Sequence, residues 1–239
     1  MLKIAHYSKT YPGGKRAVDD LNLTVKAGQI TGFIGHNGAG KTTTLRAVAG
    51  ILSYEEGSIT IDGHEVRTDG VEAKKIMAFL PDNPDLYEFM TGVQYLNFIG
   101  DVCGLEAELR SERVKHYADS FELTGALGSP VASYSHGMKQ KLALISALMR
   151  QPKLLILDEP FVGLDPKASH LLKGFLRELC QAGGAVFFST HVLEVAEKLC
   201  DRVAILKGGK LICEGPTEEI VGSSTLEEVF LGQEGEQDA

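Results

Sequence analysis

The four cysteines of this 239-residue chain, Cys103, Cys180, Cys200 and Cys213, form no C-x-x-C pair and have no histidine at zinc-ligand spacing. That argues against a zinc module or a disulfide scaffold and predicts packed, reduced thiols, as in a cytosolic protein. No apolar run approaches the roughly 18 residues that a membrane-crossing helix needs. The longest, Leu142 to Met149, is closed off by Lys141 and Arg150. The amino terminus lacks the apolar core of a signal peptide. Any membrane role therefore falls to a separate partner chain. Positive charge is also short: the formal net charge of −8 argues against a general nucleic-acid binder, so no nucleic acid is expected as a partner. With 44% hydrophobic and 23% charged residues, the composition is that of a soluble globular protein. The length suits one domain, or one core with a lobe inserted into it.

What is present centres on Gly35 to Thr43. This stretch reads Gly35-His36-Asn37-Gly38-Ala39-Gly40-Lys41-Thr42-Thr43 and matches G-x-x-x-x-G-K-[ST], the phosphate-binding loop. Its glycines let the backbone curl so that successive N–H groups point at phosphate oxygens. Lys41 brings a point charge to the outer phosphates, and the Thr42 hydroxyl is a ligand for Mg²⁺. Ile30 to Ile34 reads as a buried strand entering the loop, and Thr43 to Ala49 as a helix leaving it, with Gly50 as its cap. Strand, loop and helix together are the context this motif requires, and the helix dipole favours anions there.

Residues 2 to 34 read as strands, with Lys26-Ala27-Gly28 as a turn and the segment from Tyr7 to Gly14 lying between strands. An aromatic in that segment can stack on a purine or simply pack at a strand end. Ile59 and Ile61, followed by Asp62-Gly63, predict a β-hairpin. Antiparallel strands beside a phosphate-loop core argue against a plain doubly wound nucleotide kinase. Ile76 to Leu80 reads as a strand ending in the loop Pro81-Asp82-Asn83-Pro84. Residues 84–150 then change to helical spacing: Thr91-x-x-Gln94 is a capping box, and Val114, Tyr117, Ala118 and Phe121 recur on one face. Ser135 and Gly137 stand at the start of the last helix of this lobe, where capping alone would explain them.

Leu154 to Leu157 predicts a buried parallel strand ending in Asp158 and Glu159. In a phosphate-loop protein these acids suit a carboxylate that holds Mg²⁺ through water and one that polarises the attacking water. Gly163 to Pro166 predicts the cap of a further helix. Ala185 to Thr190 reads as a buried strand ending at His191. Val203 to Ile212 reads as a closing hairpin, Ser224-x-x-Glu227 as a second capping box, and residues 232–239 as a frayed acidic tail.

The order of these features resembles the ATP-binding subunit of ABC transporters over essentially the whole chain. They are Tyr11, the phosphate loop, the loop at Asp82, Tyr134-Ser135-His136-Gly137-Met138, Leu157-Asp158-Glu159, Gly163-Leu164-Asp165 and His191. The resemblance implies an α/β fold: a phosphate-loop core (1–83 and 151–222), an antiparallel β subdomain, an inserted helical lobe (84–150) and a C-terminal helix with its tail (223–239). It implies that Tyr11 stacks on adenine, that Thr42, Asp158 and Asp82 lie at Mg²⁺, and that Glu159 is the general base. His191 would contact the γ-phosphate and the attacking water. Ser135 and Gly137 would act in trans on ATP held by a second subunit, with Asp165 passing between the two. The implied function is a Mg²⁺-dependent ATPase on the cytoplasmic face of the membrane. Head-to-tail pairing with itself or a homologous ATPase would drive a permease subunit.

Two departures stand out. The family signature Leu-Ser-Gly-Gly-Gln is Tyr-Ser-His-Gly-Met here. With Leu226-Glu227-Glu228-Val229-Phe230, that form resembles the branch serving bacterial drug and antibiotic-peptide exporters. Asp82 stands where the family usually carries glutamine; an ionised aspartate accepts hydrogen bonds but cannot donate to the attacking water. The alternative function is a soluble ABC ATPase acting on ribosomes or DNA. Such relatives usually have two fused nucleotide domains or a long coiled-coil insertion, and this chain has neither.

Overall fold

The computed structural model describes residues 1–235. Its first strands, β1 (Leu2–Thr10) and β2 (Arg16–Val25), pair antiparallel. Next comes β3 (Ile30–Ile34), buried along its whole length. On its free side β1 pairs with β4 (Glu56–Ile61), and β4 with the short β5 (His64–Glu65), both antiparallel. Asp62 and Gly63 have φ of 51° and 89°. Positive φ at both central residues is what a type I′ hairpin turn requires, and Asp-Gly supplies it.

β3 belongs to a second sheet with β6 (Met77–Leu80), β7 (Leu154–Asp158), β8 (Ala185–Thr190), β9 (Arg202–Lys207) and β10 (Lys210–Pro216). The order is β10-β9-β3-β8-β7-β6; all neighbours are parallel except β10, which closes the edge as a hairpin with β9. β7 and β8 are also buried throughout, which is why they read as unbroken runs rather than alternating ones. Alternate side chains serve two cores. Phe33, Ile156 and Phe187 pack with the antiparallel sheet, whereas Ile34, Leu155, Leu157 and Phe188 pack with the helices. Burying each such side chain stabilises the fold by roughly 1.5–3 kcal/mol.

The helices are α1 (Lys41–Val48), α2 (Gly70–Ile76), α3 (Gly92–Val102), α4 (Ala107–Ser120), α5 (His136–Leu148), α6 (Pro166–Gln181), α7 (Leu193–Leu199), α8 (Thr217–Val221) and α9 (Leu226–Gly235). Gly50 ends α1 with φ 65°, the left-handed conformation expected of it. Thr91 and Gln94 form both halves of the capping box on α3. α3, α4 and α5 follow one another between β6 and β7.

Several expectations are corrected. β1 continues to Thr10 and buries Tyr7 completely, so only residues 11–15 link it to β2. Ile76 ends α2 rather than starting β6. α2, α7 and α8 were not predicted; each is seven residues or fewer, too short for a 3.6-residue period to register, and α2 buries only Ala73. The capping box of α9 is one residue later than predicted. Thr225 N donates to Glu228 Oε2 (3.0 Å) and Glu228 N to Thr225 Oγ1 (3.2 Å). That register puts Leu226 into the core. The backbone is helical through Gly235, and the rest of the tail, 236–239, lies outside the described residues.

The shifted box has a direct test. Thr225→Ala should lower stability by about 1 kcal/mol, whereas Ser224→Ala should stay within about 0.5 kcal/mol of wild type. Denaturant midpoints of the two variants measure the difference.

Candidate active site

Register decides which segments meet. Ile34 pairs with Thr190 and Asp158 with Ser189, so β3, β7 and β8 end side by side. Each runs straight into one candidate segment: residues 35–43, Glu159 and His191. The carboxyl edge of a parallel sheet is where such folds bind ligands.

The loop is shaped by close backbone approach. A Cβ at Gly35 would lie 2.4 Å from Leu206 O, and one at Gly40, which has φ 107°, 2.5 Å from Ala17 O. Only glycine fits either place. Gly38 has open space around it. The Lys41 side chain is 5% exposed and donates to Gly35 O (2.5 Å) and His36 O (3.2 Å), with Glu159 Oε1 at 3.7 Å. Burial lowers the Lys41 pKa, and the carboxylates of Glu159 and Asp158 oppose that shift. A buried ammonium needs such acceptors.

Asp158 is 1% exposed. Its Oδ1 accepts from Ser189 Oγ at 2.5 Å, and its Oδ2 is buried with no hydrogen-bond partner. Burial raises its pKa; the Ser189 and Thr42 hydroxyls oppose the rise, and the charges of Asp82 and Glu159 add to it. A buried carboxylate oxygen without a partner, on a carboxyl that the Thr42 hydroxyl also influences, supplies hard oxygen donors of the kind Mg²⁺ takes. Among the described residues no group of three His, Cys, Asp or Glu could hold a metal alone. The donor set thus fits a cation that completes its shell with phosphate and water.

Glu159 sits at φ 48°, in the left-handed region, at a cost of order 1–3 kcal/mol for a residue with a Cβ. Its N–H holds it there by donating to Ser189 O (3.2 Å) and Ser189 Oγ (3.1 Å). The carboxylate Oε1 lies 3.0 Å from His191 Nδ1 and makes no hydrogen bond; Oε2 accepts from His191 N at 3.4 Å. The His191 ring is half-exposed.

Tyr11 is 36% exposed, and its hydroxyl lies 3.3 Å from Thr43 Oγ1. A cleft of about 250 Å³ brings Tyr11, Lys15, Asn37, Thr42, Asp82 and Glu159 together. A larger cleft, about 680 Å³, lies beside Cys180 and Cys200 at the other end of β3, away from the loop. Asp82 is exposed, and its Oδ1 accepts from Asn83 N at 2.9 Å.

Ser135, Gly137 and Asp165 do not line this cleft. Ser135 Oγ caps α5 by accepting from Met138 N at 3.3 Å. The turn before α6 packs on the same helix start, where a Cβ at Gly137 would stand 3.1 Å from Gly163 O. Asp165 caps α6 through Ala168 N (2.8 Å) and pairs with Lys141 Nζ (2.7 Å), which holds its carboxyl below the usual carboxylate range. Sequence reasoning missed Ser189, Lys15 and Lys141. Ser189 carried a signal, as a polar residue inside a buried strand two places before His191; exposed Lys15 and mostly buried Lys141 carried none.

A family model described as "ABC transporter" matches residues 18–162. An uncharacterised ABC transporter ATP-binding protein of Bacillus subtilis is 38% identical over 83% of this chain. The chain spans 65% of that relative's length. Among solved structures, one titled as the ATP binding subunit of an ABC transporter is 31% identical with a TM-score of 0.92, covering 97% of this chain and 98% of its own. A dimeric ATP-binding cassette in a post-hydrolysis state, bound to ADP and Pi, is 25% identical with a TM-score of 0.82; the match covers 91% of this chain and 99% of that one.

The Ser189 tie yields a pH-dependent prediction. A carboxylate whose folded pKa is raised penalises the fold above that pKa. The penalty fades as pH falls through it toward the unfolded value near 3.8. Removing the Ser189 hydroxyl raises the Asp158 pKa further. Ser189→Ala should therefore destabilise the nucleotide-free protein by about 1–3 kcal/mol at pH 7, and the loss should shrink toward pH 4. Chemical denaturation across that range in a chelating buffer measures both.

Proposed function

The chain belongs to the ABC transporter family and is an ATPase domain of it, and on that premise we propose that it is the subunit whose ATP hydrolysis powers a separate membrane permease, in the direction of export. The observation that carries this reading is Glu159, whose Oε1 has no hydrogen bond and stands between Lys41 and His191 at the mouth of the phosphate loop. The core (1–83 and 151–222) holds the nucleotide, and the lobe (84–150) carries the signature helix.

ATP would enter the cleft with adenine on Tyr11 and its phosphates on the N–H groups of residues 38–43. Lys41 exchanges the carbonyls of Gly35 and His36 for the outer phosphate oxygens. Thr42 and Asp158 would hold Mg²⁺, with Asp82 beside them, and the ion would neutralise charge on the phosphates. Glu159 accepts a proton from the attacking water as its oxygen bonds to the γ-phosphorus and the bond to the β-phosphate oxygen breaks. His191 orients Glu159 and contacts the γ-phosphate. Ser135 and Gly137 lie outside their own chain's cleft, which supports a role on ATP held by a second copy or a homologous subunit, with Asp165 at the seam. The export direction rests on the Tyr-Ser-His-Gly-Met signature and Leu226 to Phe230. The site of action is the cytoplasmic face of the membrane.

Glu159→Gln should cut phosphate release by about 10²- to 10⁴-fold while ATP still binds. Its elution in size-exclusion chromatography should shift from monomer to dimer on adding Mg-ATP. Full hydrolysis by this variant would overturn the assignment of the base, and co-purification of the wild type with ribosomes instead of a polytopic membrane protein would overturn the transport role.

Asp82 is read as the sensor that links nucleotide to permease. Asp82→Ala should lower transport-coupled ATPase activity in the assembled complex. Unchanged coupled activity would remove that role.

A further inference from the structure

We propose that Phe230 of the C-terminal helix is a positioning residue for the phosphate loop, acting through His36. The Phe230 ring is 7% exposed and meets the His36 ring edge-on, with centroids 4.8 Å apart and planes at 68°. Aromatic pairs favour this geometry because the positive edge of one ring faces the negative face of the other. His36 is part of the loop itself, and its carbonyl oxygen accepts from Lys41 Nζ (3.2 Å) and from Ala39 N (3.1 Å). A shift of His36 therefore moves both an acceptor of the lysine that must reach the phosphates and the turn that aims the following N–H groups.

α9 is fixed at its other end. Leu226 is fully buried, and its N–H donates to Glu197 Oε2 at 2.7 Å. Glu197 lies on α7, the helix that follows His191. The short α9 thus joins the helix that follows the His191 segment to the phosphate loop. A loop already held in its bound shape loses less conformational freedom on binding, which appears as affinity. The ring contact of Phe230 is with His36, a residue outside the Lys41, Asp158 and Glu159 set, so it acts on binding of nucleotide rather than on the chemical step. This inference rests on the reading of the loop as an ATP site.

The test compares Phe230→Leu, His36→Ala and the double variant with wild type, using a fluorescent ATP analogue for binding and phosphate release for turnover. Leucine retains an apolar side chain in the buried site but removes the ring edge, so melting temperature should change little. Phe230→Leu should weaken analogue binding and raise KM by roughly 2- to 10-fold, with kcat at saturating ATP within about twofold of wild type. A merely structural defect would instead reduce the active fraction, lowering kcat and leaving KM alone. In the His36→Ala background the Phe230→Leu change should have no further effect on KM. An unchanged KM in Phe230→Leu, or fully additive effects in the double variant, would overturn the proposal. Failure of the wild type itself to bind the analogue would instead overturn the reading of the loop as an ATP site.

Discussion

Parallel pairing of β3, β8 and β7 in one register is the constraint on which the site depends. Ile34 opposite Thr190 and Ser189 opposite Asp158 deliver the phosphate loop, the acidic pair and His191 to one edge. A slip of a single residue would turn every side chain of a strand to the other face. Here both faces are buried, in two different cores, so a slip would put Phe187 among the helices and Phe188 against the antiparallel sheet. The apolar packing that sets the register therefore also sets the geometry of the charged groups beyond it.

Those charged groups are held in a state that stability alone would not choose. Lys41 is nearly buried, Asp158 keeps one carboxylate oxygen without a partner, and Glu159 occupies a left-handed conformation. Each costs free energy on folding, and each is fixed by neighbours with few alternatives. Ser189 does most of this fixing. Its hydroxyl donates to Asp158 and accepts from the Glu159 N–H, so one buried side chain orients both acids. Local conflict with stability, concentrated at one edge of a well-packed sheet, is the pattern expected of a functional site.

Much of this was legible in the linear chain. The strand, loop and helix around Lys41, the hairpin at Asp62-Gly63 and the capping box at Thr91 all rest on interactions between residues a few positions apart, so their signals are local. The misreadings have physical causes too. α2, α7 and α8 are shorter than the window in which a helical period can be recognised. The box of α9 slipped because Ser224 and Thr225 are adjacent hydroxyl residues, Glu227 and Glu228 are adjacent acids, and both spacings satisfy the pattern. Burial of Leu226 selects the second.

Residue order alone carries the phosphate loop, the strands that lead to Asp158 and His191, and the helical character of residues 84–150. Glycine stereochemistry, apolar periodicity and capping act over a few bonds and leave their trace in residue order. Packing between distant segments settled that Ser189 ties the two acids together, that Phe230 meets His36, and that Ser135 and Gly137 do not line their own chain's cleft. Each of those depends on how separate elements pack, and the energy that selects the packing is shared over the whole core rather than written at any one position.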